Sequence, residues 1–119
     1  MQPLRLALWL RMARQLGCPV CVSLFPPLAK RSGLDSQAVE SALDGRPEGL
    51  SPEIASALAF VDAVMASHGA EPAELPPAAA ALSPALREQI VFFVRVERVV
   101  HAVGLFFLPG SWIRRAASV

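Results

Sequence analysis

The sequence predicts an all-α fold with a single domain. Its 119 residues are 54% hydrophobic and only 18% charged, a composition that fits one compact domain. Apolar residues recur at helical spacing, and prolines, serines and glycines fall where helices begin and end. No stretch has the alternating β-branched pattern, closed by a tight turn, that is typical of a strand. We therefore expect a helical bundle over 1–119, with a cysteine-containing core at about 4–33 and a C-terminal tail at about 108–119.

Two helices are predicted in the first third of the chain. The first runs from Pro3 to about residue 16, where Gly17 is suited to end it. The second begins at a cysteine pair, because Pro19 fits a first helical turn, in which its missing N–H costs nothing. Pro26 and Pro27 then fall inside this helix, where each removes a backbone hydrogen bond. We expect a kink or a break at these two prolines.

Three further helices follow. A short helix over 35–43 is capped by its first residue, an aspartate, and the Ser-Pro-Glu sequence at 51–53 begins a helix that runs to about 67. The Ala-, Pro- and Glu-rich stretch 70–82 predicts a linker with one short helix after Pro77. Ser-Pro at 83–84 begins the last helix, which is apolar on most faces up to about 107. We expect this helix to be central or to lie at a subunit interface.

The charge and hydropathy of the chain indicate which classes of partner it can bind. Lys plus Arg total 11 against 10 for Asp plus Glu, and no basic block supplies the footprint of a nucleic-acid binder. So few charges on a small domain leave apolar surface uncovered, which predicts a homo-oligomer.

Arginines at 5, 11 and 14 interrupt the N-terminal segment before a secretory signal could form. The longest uncharged run, 99–113, is about 15 residues and falls short of the roughly 20 needed for a membrane span. We expect a cytoplasmic protein.

The sequence Cys18-Pro-Val-Cys21 is the sharpest local motif. A C-x-x-C pair at a helix start gains from the helix dipole and the free N–H groups, which stabilise a thiolate, and it can close a disulfide. As a zinc site the pair is incomplete, because four ligands are needed and only His68 and His101 remain as nitrogen donors. We therefore predict dithiol chemistry without a metal or another cofactor. The alternative is that both cysteines are buried as small hydrophobic residues.

Two residues of the last helix are candidates for an auxiliary role. Glu97 and His101 are four residues apart and share a helix face, so they could move protons for a nearby thiol. The alternative is an ion pair between Glu97 and Arg95 or Arg98 within the core or an interface. His68, at the end of the preceding helix, is interpreted as a favourable partner of the helix dipole.

A family resemblance rests on the order of these motifs. Residues 4–33, LRLALWLRMARQLGCPVCVSLFPPLAKRSG, combine an Arg- and Ala-rich helix, the C-x-x-C pair and a helix ending in A-x-x-x-G. Together with the stretches 60–63 and 96–104, this order resembles the carboxymuconolactone decarboxylase and alkyl hydroperoxidase D superfamily over most of the chain. The resemblance implies a helical domain in which Cys18 and Cys21 perform redox chemistry with a dithiol or protein electron donor.

The chain departs from that family at two positions. The hydroperoxidase site also has a histidine four residues after the second cysteine and a glutamate twelve residues before the first, which form a proton relay. Phe25 and Leu6 occupy these positions here. We expect an apolar contact between the first two helices, which favours a neutral thiol over a thiolate. The departure implies slow peroxide reduction, and the acid–base groups of the decarboxylase branch have no match.

Three functions remain open. In the first, the protein is a thiol–disulfide enzyme in which Cys18 exchanges with a partner and Cys21 resolves the mixed disulfide. In the second, it is a non-catalytic oligomeric interaction protein whose last helix and apolar tail, 105–108, bury area between subunits, while Trp112, Arg114 and Arg115 form a rim or dock a partner. In the third, it is a small-molecule-binding module with a pocket between the cysteine helix and the last helix, lined by Phe25, Phe93 and Val94.

Overall fold

The structure, a computed structural model, describes the backbone of residues 3–107 and the side chains of residues 3–103. Within these residues it contains helices and no strand, which confirms the predicted all-α class. The elements are α1 (Pro3–Leu16), α2 (Pro19–Arg31), α3 (Ser36–Asp44), α4 (Pro52–Ala66), a 3₁₀ turn (Pro77–Ala79) and α5 (Pro84–Phe107). The tail predicted at about 108–119 lies outside the described residues. None of the helices in the described range combines the length and apolar character needed to cross a bilayer.

A side-chain acceptor caps the start of each helix from α2 to α5. The first amides of a helix lack intrahelical partners, so an acceptor at this position stabilises the helix. The oxygen caps are Asp35 on the amide of Ala38 (2.8 Å), Ser51 on that of Ile54 (3.3 Å) and Ser83 on that of Leu86 (3.2 Å). Cys18 is the N-cap of α2 and uses its sulfur in the same way. The helix starts predicted from the sequence are therefore confirmed by their capping bonds.

The helix α1 lies at the centre of the bundle and packs against each of the other four helices. Its side chains at Leu6, Leu10 and Met12 are almost completely buried. On one side α4 completes the core, where Leu58 and Phe60 are equally buried. An apolar helix with several buried faces fits this central position.

The helix α5 does not lie at the centre of the bundle, so the first of the two positions expected for it, the central one, is wrong. Ile90 and Val94 are buried against α1 and α4, but Phe92 is 70% exposed and most apolar residues beyond it are also exposed. The physical reason is that α1 already occupies the centre, which leaves α5 one covered face. The other expectation, that α5 lies at an interface, stays a prediction.

The helix α2 continues through its two internal prolines. It is helical from Pro19 to Arg31, so of the predicted kink or break at Pro26 and Pro27 the break does not occur, and the kink stays a prediction. The prolines remove the donors that would have reached the carbonyls of Val22 and Ser23. Because Ser23 and Pro27 lie on the exposed side of α2, water can reach this part of the backbone. The cysteine pair therefore stands on an intact helix.

Candidate functional site

The cysteine pair lies at the first turn of α2. Cys18 and Cys21 are joined as a disulfide, with their Cα atoms 5.3 Å apart. The Cys18 sulfur also accepts a hydrogen bond from the backbone amide of Cys21 at 3.3 Å. Both residues are half-buried. The two cysteines can thus form a disulfide with each other, are partly accessible to solvent and lie at the positive end of a helix dipole. These are three features of reactive dithiols.

A tight turn at the end of α1 fixes the position of Cys18. Gly17 has a φ of +66°, a conformation that glycine adopts without the steric cost of a Cβ. The turn lets the amide of Cys18 bond to the carbonyl of Ala13 at 2.9 Å, which closes the helix end. No spacer residue separates this turn from the N-cap cysteine, so the central helix holds the dithiol at a defined place.

An aromatic stack connects the cysteine helix to α1 and α5. Phe25 lies one turn after Cys21, and its ring is 5.0 Å from the ring of Trp9, with an interplanar angle of 30°. Trp9 in turn lies 6.3 Å from the ring of Phe93 on α5. The family's histidine position is therefore occupied by a packing residue, and Leu6, at the glutamate position, is fully buried in the core.

Trp9 is the residue that sequence reasoning missed. A tryptophan in a strongly apolar helix reads as core, and no local motif marks it as the contact shared by three helices. Only the packing of α1 between α2 and α5 gives it that position.

Glu97 lies on the α5 side of Trp9. Burial raises the pKa of Glu97, and the facing indole N–H of Trp9 lowers it in part. The indole nitrogen is buried and does not reach full hydrogen-bond geometry with any partner, so this contact offsets only some of the burial. The alternative ion pair does not form within the chain: among the described side chains, neither Arg95 nor Arg98 comes within bonding distance of the Glu97 carboxyl. Arg95 instead donates to the carbonyl of Gly69 at 2.7 Å, at the end of α4.

The predicted auxiliary residues form no hydrogen bond with the cysteines in the described part of the chain. Across residues 3–103, no hydrogen bond joins Glu97 or His101 to Cys18 or Cys21. His101 lies half-buried one turn beyond Glu97. The structure therefore brings Glu97 to Trp9, and the auxiliary role of both residues stays a prediction.

The described residues contain no group of three or more His, Cys, Asp or Glu side chains that could hold a metal ion. His68, the nearest alternative ligand in the sequence, is exposed just beyond α4. It has a φ of +56°, and its amide bonds to the carbonyl of Met65 in the turn that ends the helix. This is the helix-end position that the sequence predicted.

A groove of about 710 Å³ runs between α1 and α5. Its walls are mainly apolar, with charged residues at the edges; they include Leu4, Arg5, Leu8, Trp9, Leu86, Glu88, Phe92, Phe93, Val96 and Glu97. Of the three residues predicted to line a pocket, Phe93 borders this groove, while Val94 is buried in the core and Phe25 stacks on Trp9 without lining the groove. Among the described residues α1 packs between α2 and α5, so this groove lies between α1 and α5 and is not the pocket predicted between the cysteine helix and the last helix.

Two residues that carry the family resemblance bond to each other. The Arg11 guanidinium makes a two-point contact with Asp62 of α4, at 2.7 and 3.2 Å, and donates to the carbonyl of Leu43 of α3 at 2.7 Å. Gln15 adds a bond to the same carboxylate at 2.8 Å. This network ties three helices together, so Arg11 and Asp62 have a structural role here.

Comparison of the chain with protein-family models, with curated proteins and with solved structures gave no match. The superfamily resemblance therefore rests on the residues of this sequence alone.

Proposed function

We propose that this chain is a thiol–disulfide redox protein of the alkyl hydroperoxidase D-like type, with Cys18 and Cys21 as its reactive pair. The observation that supports the proposal is the bonded cysteine pair at the start of α2, half-buried and capped onto the helix. The Arg11–Asp62 contact also supports the resemblance, because these two residues lie in the stretches that resemble the family and they bond to each other.

The reaction is a two-electron exchange. In the reduced protein, the Cys18 thiolate attacks a disulfide of an oxidised substrate and releases one substrate thiol. The Cys21 thiolate then attacks the Cys18 sulfur, releases the second substrate thiol and closes the Cys18–Cys21 disulfide. A dithiol carrier or a dithiol protein returns two electrons by the reverse sequence. Cys18 takes the attacking role because it is the N-cap and so lies just before the first turn of α2.

Peroxide reduction is expected to be slow. Leu6 and Phe25 supply no proton acceptor at the positions where the family has its relay, and both pack within the protein. Exchange with an existing disulfide needs no such relay, because the leaving group is itself a thiolate. This favours disulfide exchange over peroxidase activity in a reducing compartment such as the cytoplasm.

Single-cysteine variants test the proposal. Reduced Cys21→Ser protein mixed with a model disulfide is expected to accumulate a stable mixed disulfide on Cys18, because no resolving thiol remains. Cys18→Ser protein is expected to react much more slowly, and serine preserves the oxygen-type cap that the other helices use. Ser36→Ala, on the exposed start of α3, is the control. Unchanged exchange by Cys18→Ser, measured by intact mass after acid quenching, would sink the proposal.

A second candidate function is that of an oligomeric interaction protein without catalysis. The specific observation in its favour is the exposed apolar face of α5. The third candidate, a small-molecule site, is supported by the groove between α1 and α5. We infer that homo-oligomer formation accompanies either the redox or the interaction role.

A further inference from the structure

An apolar stripe runs along the outer face of α5. Its members are between 38% and 70% exposed and none is charged; they are Phe92, Val96, Val99, Val100 and Val103. Four of them, at 92, 96, 99 and 103, follow spacings of four, three and four residues. This is the spacing of a seam at which one helix packs against another. The buried residues of α5 lie on the opposite side, and within residues 3–103 no other helix covers the stripe.

The groove between α1 and α5 lies on the same face as the stripe. Phe92 and Val96 belong to both features, because each is exposed and also borders the groove. The face therefore carries a protruding aromatic ring directly beside an apolar depression of about 710 Å³. A knob and a hole on one surface make that surface complementary to itself, as a two-fold symmetric contact requires.

We propose that this face binds a second copy of the chain, with the two α5 helices crossing near Val96 and each Phe92 ring, one turn away, seated in the partner's groove. The inference specifies the self-association put forward above and does not depend on the chemistry of the cysteines. Each copy contributes one ring and one groove, so the contact closes at two chains.

The size and charge of the face fit a second copy. The five stripe residues expose on the order of 400 Å² of apolar surface, close to the apolar share of roughly 480 Å² in a specific interface of about 800 Å² per partner. The exposed residues Arg5 and Glu88 at the groove edge have opposite charges, so a two-fold contact can pair unlike charges.

Sedimentation velocity of the full chain over a dilution series tests the association. The wild type is expected to sediment as a dimer, and Phe92→Asp as a monomer with unchanged helical circular dichroism, because Phe92 is 70% exposed and adds little to the fold. Leu24→Asp on α2 is the matched control: Leu24 is 56% exposed, and its variant is expected to stay dimeric. A wild type that stays monomeric at about 100 µM, a concentration at which even a weak interface associates, would overturn the proposal. It would do so whether the chain's own tail or another protein covers the α5 face. A dimeric Phe92→Asp would overturn it as well.

Cross-linking tests the symmetry. In a Cys18→Ser, Cys21→Ser background, Val96→Cys is expected to form a covalent dimer under mild oxidation, because the axis passes near this residue. Leu24→Cys in the same background is expected to stay monomeric on a denaturing gel. Failure of Val96→Cys to cross-link, or equal cross-linking of Leu24→Cys, would overturn the two-fold arrangement. Neither experiment reads the redox state of Cys18 and Cys21, so this proposal can fail without the redox proposal, and the reverse.

Discussion

A buried hydroxyl without a partner lies at Ser41 in α3. The residue is fully buried, and its Oγ makes no hydrogen bond with any of the described residues. A buried polar group in this state costs about 1–3 kcal/mol relative to a hydrated one. Ser41→Ala is therefore expected to raise the free energy of unfolding by about 1 kcal/mol in urea titrations. The control is Ser36→Ala on the same helix, where the side chain is exposed and a change within about 0.5 kcal/mol is expected. A loss of stability in Ser41→Ala would contradict the assignment.

Glu97 predicts a pH dependence of stability. Burial raises the pKa of its carboxyl above the ordinary value near 4.5, so the folded state holds this proton more tightly than the unfolded state does. The favourable contribution is complete below about pH 4.5 and is lost as the pH rises through the raised pKa, because the carboxylate is then charged and poorly hydrated. Glu97→Gln is expected to be more stable than the wild type at pH 7.

Denaturant titrations at pH 4 and pH 7 check this expectation. The stability advantage of Glu97→Gln should shrink or vanish at pH 4, where the wild-type carboxyl is protonated. Glu40→Gln, an exposed position on α3, is the control for general charge effects. An advantage of Glu97→Gln that is equal at the two pH values would show that Glu97 does not titrate as described.

At the scale of the helices, Arg11 forms a polar contact that joins three of them. Only 16% of its side chain is exposed, and it joins α1 to Asp62 of α4 and to the last turn of α3. Arg11→Ala removes these bonds and the packing of the arginine stem, at an expected cost of about 2 kcal/mol in unfolding free energy. Arg14→Ala on the same helix is the control, since its bond to Asp44 is exposed and worth less than about 1 kcal/mol. Equal losses in the two variants would refute the role of the network.

The helices themselves could be predicted from the sequence, because their boundaries depend on local chemistry. Ser51 and Ser83 are each followed by proline, and Asp35 by a helical stretch, and all three cap helices as predicted. The continuity of α2 could not be predicted, since it depends on which side of the helix faces solvent. The same limit applies to Trp9, whose position between Phe25 and Phe93 follows from the packing of three helices.

At the scale of the whole molecule, the arrangement of helices decides where chemistry and contacts can occur. The central position of α1 separates the cysteine helix from α5, which moves the groove away from Cys18 and Cys21. The low charge content already indicated uncovered apolar surface, but only the structure locates it, mainly on α5 and in part on α2 at Val20, Leu24 and Leu28. The dithiol and the apolar face are thus two separate features of one small bundle.

The redox equilibrium of Cys18 and Cys21 tests the central claim most directly. The protein is equilibrated in thiol–disulfide buffers of graded potential, and its free thiols are counted by mass after alkylation. We predict a reversible two-electron couple between about −300 and −180 mV, the range in which exchange with cellular dithiols is possible. Failure to form the intramolecular disulfide, with both thiols protected from alkylation until the protein unfolds, would contradict the claim and reduce the pair to packing residues.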